Sequence, residues 1–514
     1  MKLKKYGMLL ASLGLLASCS NDNLEGPNQP DLATDGEVYF TLSVKEATGS
    51  RGTDDDGTPT PEQTTVNGED YESAISSVLL IIADPQGNQK VVGKGEQIGQ
   101  TSSYKFAFTG NKFETLYTLT DVQLYAVCNL AEESLPTTKP SSSSFNIQRE
   151  MKLESDGDTY WKNNNFLMSN SKAKSFKLNA AEIKSGKYTS DSPYDLGEIR
   201  VQRAMARLDL AQAAPTQDEA VDNNIKIEFN GVGLVNLSKS FFLYKEVGKS
   251  GNFKLFDDEE EDNFVNDPKA SKSTYGDADL FYRVNGTDKL NALYAKKTYE
   301  WFKTSTGEYD VLRYLTPNTV IATDQQVNGK STGLIFRAEI KGASSNLPLD
   351  NKDKRNLYVY NKKVVGDLTT LQSKLSSNAE LNSLYTSIVG SETNEDQIIA
   401  KLRAANVGFE IFPGEKIENE THFFCYYPYW IRHNGVGSAN DGNMTTPMEF
   451  GVVRNNIYKI KVASVSGLGK PADEVLKTDY PDDPPHNDEE VTSTALKVQI
   501  IVEKWEVRED EINF

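Results

Sequence analysis

Short runs in which apolar and polar residues alternate recur along the chain, at 77–82, 116–130, 225–237, 334–340, 358–365, 457–465 and 496–507. Gly, Asn, Asp and Ser bound them. Alternation at period two puts one face of an extended segment in a core and the other in water, so these runs predict strands. No regular helical pattern separates them, which disfavours parallel βαβ units and favours antiparallel sandwiches. Helical spacing is concentrated at 367–405, where Leu368, Leu371 and Leu375, then Leu381, Leu384 and Ile388, then Ile398 and Leu402 recur every three or four residues. That stretch predicts a helical insertion. The expected fold is mainly β: two antiparallel β-sandwich domains with a helical insertion in the second.

The first residues carry a different pattern. Three Lys in residues 1–5 precede an apolar run at 8–16 that is too short to span a bilayer, the layout of an export signal. The run ends in Leu16-Ala17-Ser18-Cys19, which resembles the bacterial lipobox and makes Cys19 the expected lipidation site, with residues 1–18 removed. Acyl chains contribute about 0.8 kcal/mol per buried CH₂, so a multiply acylated Cys19 would hold a precursor on a membrane. Residues 19–36 are polar with Gly and Pro and read as a flexible tether. The first domain is expected at 37–197, with a first strand at 37–45 and a polar loop at 46–57. Ser/Lys/Asn-rich text at 169–197 marks its end. The second domain follows at 198–476, then a Pro-rich acidic spacer at 477–494 and a terminal segment at 495–514.

Composition narrows the function more than the fold. The 514 residues include 24 Tyr and 22 Phe, too many aromatics for a disordered chain, and 55 basic against 74 acidic residues give a net charge of -19 that repels phosphate backbones. Nucleic acid is therefore not an expected partner. Three Cys and three His leave no room for multinuclear metal sites or a disulfide scaffold, and Cys128 and Cys425, set in strand-like apolar text, read as buried thiols, with a disulfide between them in an oxidising compartment as the open alternative.

Candidate chemistry fails on spacing. Gly329-Lys330-Ser331-Thr332 imitates the end of a phosphate loop, but Asp324 stands where the earlier Gly is required and a strand follows where a helix is needed. His422, Cys425 and His433 could supply three metal ligands, yet the aromatic text between them favours structural roles. The acidic runs at 54–56, 257–262 and 488–490 lack the spaced ligands and turn glycine of a calcium loop. Paired carboxylates leave no trace in spacing. No catalytic residue, metal or cofactor is expected, and the chain reads as a non-enzyme.

The sharpest pattern lies at the two ends. Val38, Phe40, Leu42 and Val44 occupy one face of the first strand, and Leu496, Val498, Ile500 and Val502 do the same near the C-terminus, with Trp505 and Val507 extending the segment. After the first strand comes a polar, glycine-bearing loop around a single Arg, so Arg51 is the expected cleavage point and Gly52 the new N-terminus. Removing the first strand would expose an apolar groove and unpaired sheet edges that a neighbour's last strand could fill. On that reading Ile500→Asp blocks assembly and leaves the monomer folded.

The same residues resemble the fimbrillin family of type V pili, and within it the stalk subunit of minor fimbriae. The resemblance is carried by the Cys19 lipobox, Ser50-Arg51, Val201-Gln202-Arg203-Ala204-Met205-Ala206-Arg207, Tyr314-Leu315-Thr316-Pro317-Asn318-Thr319 and Gly451-Val452-Val453-Arg454-Asn455-Asn456-Ile457-Tyr458, followed by the spacer and a strand containing Trp505. It implies transthyretin-like sandwiches, a lipoprotein precursor exported to the outer membrane, cleavage by an Arg-specific protease and donor-strand assembly into a surface fimbrium. The implied partners are other copies of the chain and accessory anchor and tip subunits, with the adhesion ligand left open. Arg203, Arg207 and Arg454 are expected to pair with carboxylates inside the sandwich. Two alternatives stay open: a tip or anchor subunit of the same pilus, and a non-polymerising surface lipoprotein that binds glycans.

Overall fold

The computed structural model describes residues 36–46, 65–153, 160–161, 165–219, 221–249, 251–256, 264–268, 281–282, 308–319, 331–343, 355–433, 450–475 and 495–506. Cys19, Arg51, Gly52, Val507, the three acidic runs, Gly329 and Lys330, and the spacer at 477–494 lie outside them.

The architecture is mainly β, with three large sheets among the described residues. The first, of nine strands, runs Gln89–Lys94, Val78–Ala83, Asp121–Cys128, Met168–Asn170, Tyr194–Arg203, Glu37–Glu46, Ser103–Thr109 and Glu96–Gln97, with Lys174–Lys177 also on Asp121–Cys128. Its inner face gathers Val38, Phe40, Leu80, Phe106, Leu124 and Ile199 into one core.

A second sheet contains, in order, Thr65–Asn67, Leu496–Glu506, Asn456–Val465, Ala206–Ala211 and Tyr309–Leu315. A third contains Ile225–Val235, Gly333–Gly342, Glu420–Trp430, Phe409–Ile417, Asn356–Tyr360 and Lys363–Gly366. Residues from both, including Leu208, Phe336, Tyr427 and Tyr458, build the second core. Adjacent residues of one strand serve both units, as alternation requires: Ile457 enters the first core and Tyr458 the second.

The expected helical insertion is present as Leu368–Leu375, Ala379–Val389 and Glu395–Ala405. Asp367, Asn378 and Asn394 cap these helices by accepting from Thr370, Leu381 and Gln397 backbone N–H groups. Their apolar stripes pack on Tyr358, Phe409 and Ile411.

Three details depart from the alternation pattern. The run at 116–130 splits into a helix, Gly110–Leu116, and a strand, Asp121–Cys128. The run at 358–365 is a hairpin, because Asn361 and Lys362 take φ values of +48° and +65° and make a two-residue turn. The expected division at 197/198 falls inside the strand Tyr194–Arg203. Gly197, at φ +77°, forms a β-bulge there: Thr41 pairs with Asp195 and Ser43 with Glu198. The chain enters the second sheet after Ala204 and Met205.

Candidate functional site: the slot of the first strand and the seat of the last

Glu37–Glu46 is an interior strand. It pairs antiparallel with Ser103–Thr109 from Glu37↔Thr109 to Ser43↔Ser103, and parallel with Tyr194–Arg203 from Phe40↔Tyr194 to Glu46↔Val201. Val38, Phe40, Leu42 and Val44 are 1%, 0%, 0% and 1% exposed, so all four apolar positions singled out in the sequence are fully in the core. Phe40 lies 5.4 Å from the Phe108 ring and 5.8 Å from that of Tyr194. Further main-chain bonds join Tyr39 N–H to the Tyr188 carbonyl and Val44 N–H to that of Ser102.

The same face of the strand ends on a charge. Glu46 is buried, and its Oε2 accepts from Arg203 Nη2 at 2.9 Å. Burial pushes the Glu46 carboxyl up to about 7; the Arg203 guanidinium pulls the other way without cancelling it. Arg203 also donates from Nε to the Glu72 carbonyl and from Nη2 to Ser73 Oγ. Glu72 in turn takes Arg207 Nη1 at 2.9 Å, and Arg207 forks onto Asp209 at 2.7 and 2.8 Å. Tyr314 O–H donates to Glu72 and lies 3.0 Å from Tyr71 O–H. The expected carboxylate partners of Arg203 and Arg207 are therefore found. Arg454 differs in its hydrogen bonds: its guanidinium donates to the Phe242 and Leu243 carbonyls and to Ser169 Oγ, and burial lowers it to about 10 while the buried Asp267 carboxylate pulls the other way through its charge.

The last strand, Leu496–Glu506, lies on its own molecule. It pairs antiparallel with Asn456–Val465, from Asn456↔Lys504 to Val465↔Leu496, and its far end pairs parallel with Thr65–Asn67. Val498 and Ile500 pack against the second core and are only partly buried. The structure thus keeps the two apolar strands in separate sheets, the first enclosed and the last on a shallower bed. The ladder to Thr65–Asn67 has no counterpart in the alternation pattern, because three residues are too few to show a period.

The residues weighed for metal binding have separate partners. His422 Nδ1 lies 2.6 Å from Glu339 Oε1, Cys425 is buried beside Tyr427, and His433 Nδ1 meets Tyr458 O–H at 2.8 Å. Among the described residues no cluster of three or more His, Cys, Asp or Glu could hold a metal ion. Ser331 and Thr332 lead into the strand Gly333–Gly342, as their sequence context predicts. Cys128 and Cys425 are both free and buried, the first in the core of the first sheet and the second in the core of the second unit. No described helix is long and apolar enough to cross a membrane.

Residues 421–511, which run from the strand Glu420–Trp430 to just past the last strand, match the family described as "Major fimbrial subunit protein type IV, Fimbrillin, C-terminal". Residues 421–511 of the chain are thus similar to the C-terminal part of a fimbrillin. The matched segment includes both halves of the ladder that seats the last strand. Comparison with curated proteins gives no match. Among solved structures the chain is similar to a candidate cell adhesion protein of Parabacteroides distasonis, at 14% identity and TM-score 0.42 over 92% of this chain and 99% of that one. It is also similar to a fimbrilin of Porphyromonas gingivalis, at 14% identity and TM-score 0.39 over 92% and 99%.

Proposed function

We propose that the chain is a structural stalk subunit of a surface pilus, assembled when its first strand is cut away and a neighbour's last strand takes the vacated slot. The observation that carries this reading is a difference in burial. The four apolar residues of the first strand are at most 1% exposed in a slot with a partner strand on either side, whereas Val498 and Ile500 are only half-buried at home. A tail that exchanges its shallow bed for an emptied slot gains apolar burial. Four such side chains are worth about 6 to 12 kcal/mol as an upper bound.

Chain order makes the excision simple. The strand lies ahead of the whole body, so one cut between residues 47 and 64 separates it, together with everything before it, from all that follows. Arg51 is the proposed cut, an Arg-specific protease the processing partner, and Cys19 the acylated residue that holds the precursor at the outer membrane until then. Copies of the chain are the main partners, with anchor and tip subunits at the filament ends. The role is mechanical and adhesive, without catalysis or a cofactor, and the C-terminal family match supports a fimbrial place for it.

The test treats the purified precursor with an Arg-specific protease, sequences the new N-terminus and resolves the products by size. A Gly52 start with a ladder of multimers is expected. Protein cut at Arg51 that sheds residues 37–46 and stays monomeric overturns the donor-strand reading.

A further inference from the structure

We propose that the incoming strand enters the slot in the direction opposite to the strand it replaces, running antiparallel to Tyr194–Arg203 and parallel to Ser103–Thr109. This rests on the donor-strand reading above and adds the polarity of the contact between copies.

The slot has a fifth position that an apolar tally misses. Beyond Val38, Phe40, Leu42 and Val44, the same face holds Glu46 against Arg203, whose side chain is 2% exposed. The tail offers four apolar residues at the same spacing, Leu496, Val498, Ile500 and Val502. Its face continues to Lys504 on one side and Thr494 on the other. Filling all four positions in the original direction sets Lys504 in the place of Glu46. A second cation then meets a desolvated guanidinium that has just lost the carboxylate bonded to it, with only the more distant charge of Glu72 left, which Arg207 already engages, and like charges in a buried site repel strongly. In the opposite direction Thr494 takes that place, and its hydroxyl can accept a hydrogen bond from Arg203. Lys504 then falls at the position of Gly36, away from Arg203; either direction puts a side chain there, where a Cβ meets the Phe113 ring, so that ring must turn aside to admit the strand.

Side-chain volume points the same way. The position of Phe40 is the largest of the four, walled by Phe108 and Tyr194. The original direction fills it with Val498, the opposite direction with the larger Ile500, and unfilled volume in a core is penalised in proportion to its size. Val502 then replaces Val38 by the same residue. The remaining exchanges, Leu42 by Val498 and Val44 by Leu496, change volume by one methylene in opposite senses.

The register supplies a direct test. Ser103 stands opposite Ser43. In the opposite direction Lys497 arrives at the place of Ser43; in the original direction Ile501 does. Full-length chains carrying Ser103→Cys are trimmed with the Arg-specific protease, mixed with trimmed chains carrying Lys497→Cys or Ile501→Cys, and mildly oxidised. The uncut chain with Ser43→Cys and Ser103→Cys gives the reference for a bond at that place, which needs Cα atoms roughly 4.4 to 6.8 Å apart. Expected are cross-linked multimers with Lys497→Cys and their loss with Ile501→Cys. A dominant bond with Ile501→Cys overturns the proposed direction. Multimers that form neither bond overturn the four-position fit, while trimmed chains that form no multimers refute donor-strand exchange itself. A second variant, Lys504→Glu, is expected to leave the multimer ladder unchanged; a clear gain in assembly would mean that this residue meets Arg203, and the direction would be wrong.

Discussion

Glu46, the last residue of the first strand, holds Arg203, the last residue of the strand beside it, through a 2.9 Å bond buried at the junction of the two units. The strand to be excised is thus tied to the body by a buried hydrogen bond from a guanidinium as well as by apolar contacts. Burial keeps the Glu46 carboxyl near 7, above the 4.5 of an ordinary glutamate, so the native state retains a proton that the unfolded chain releases. Its contribution is fully present below about pH 4.5 and is lost as pH rises through about 7, for a total of about 3 kcal/mol. Glu46→Gln keeps an acceptor for Arg203 without the titration, and should flatten the fall in stability between about pH 5 and pH 8. Urea midpoints at the two pH values check this, and equal pH slopes in both proteins would refute it.

Phe40→Ala should destabilise the uncut chain by about 3 to 5 kcal/mol, since it empties a fully buried ring site between Phe108 and Tyr194. Trimmed protein has already lost residue 40, so the same substitution should leave the trimmed form unchanged. Comparing denaturation before and after the cut separates a contribution of the first strand from a general defect of the fold.

The apolar face of the first strand was legible because period-two alternation survives whatever the strand pairs with. So was the insertion at 367–405, where three- and four-residue spacing coincides with Asp and Asn caps. Other features were hidden for identifiable reasons. Gly197 reads as punctuation between domains, but a glycine at positive φ serves a β-bulge equally well, and here the strand continues to Arg203. Helix Gly110–Leu116 spans only seven residues, too short to show a period against the strand signal that follows. The ion network joins Glu46, Glu72, Arg203, Arg207 and Asp209; Glu46 and Arg203 stand 157 positions apart, and only the folded chain brings them together. Arg454 bonding to carbonyls rather than to a carboxylate is likewise a product of packing.

Arg207→Met should cost about 3 to 5 kcal/mol, because it leaves the buried carboxylates of Glu72 and Asp209 without their shared guanidinium. Adding Glu72→Gln and Asp209→Asn removes the stranded charges and should recover much of that loss. If the triple variant is no more stable in urea than Arg207→Met alone, the charges are not what the guanidinium compensates.

Ile500→Asp has a broader effect than its position in a donor segment alone suggests. The residue pairs with Ile460 and packs on the second core, so an aspartate there also loosens the last strand from its own bed. The expected monomer keeps both cores, shows faster hydrogen exchange at 496–506, and fails to assemble after cutting. Retained assembly would remove Ile500 from the contact between copies.

The two thiols give a test of the fold that is independent of assembly. Cys128 is enclosed with Leu80, Phe106 and Met168 in the first core, and Cys425 with Phe336 and Tyr427 in the second. Burial raises both thiols above their ordinary range, Cys425 to about 11, so neither presents a thiolate at about pH 8. Uncut protein that starts at residue 20, and so lacks Cys19 but keeps the first strand, should resist a thiol-alkylating reagent and migrate identically with and without reductant. In strong denaturant it should take up two equivalents, one for each of these free cysteines. Because the thiols sit in different cores, partial denaturant should expose them separately if one unit opens first; the order of labelling, read by peptide mass, then reports which unit opens first. Rapid labelling of Cys128 in the cut, unassembled protein and its slowing once multimers form would tie closure of that core to the arrival of a neighbour's strand, whereas a rate unaffected by assembly would leave the emptied slot sealed by some other means.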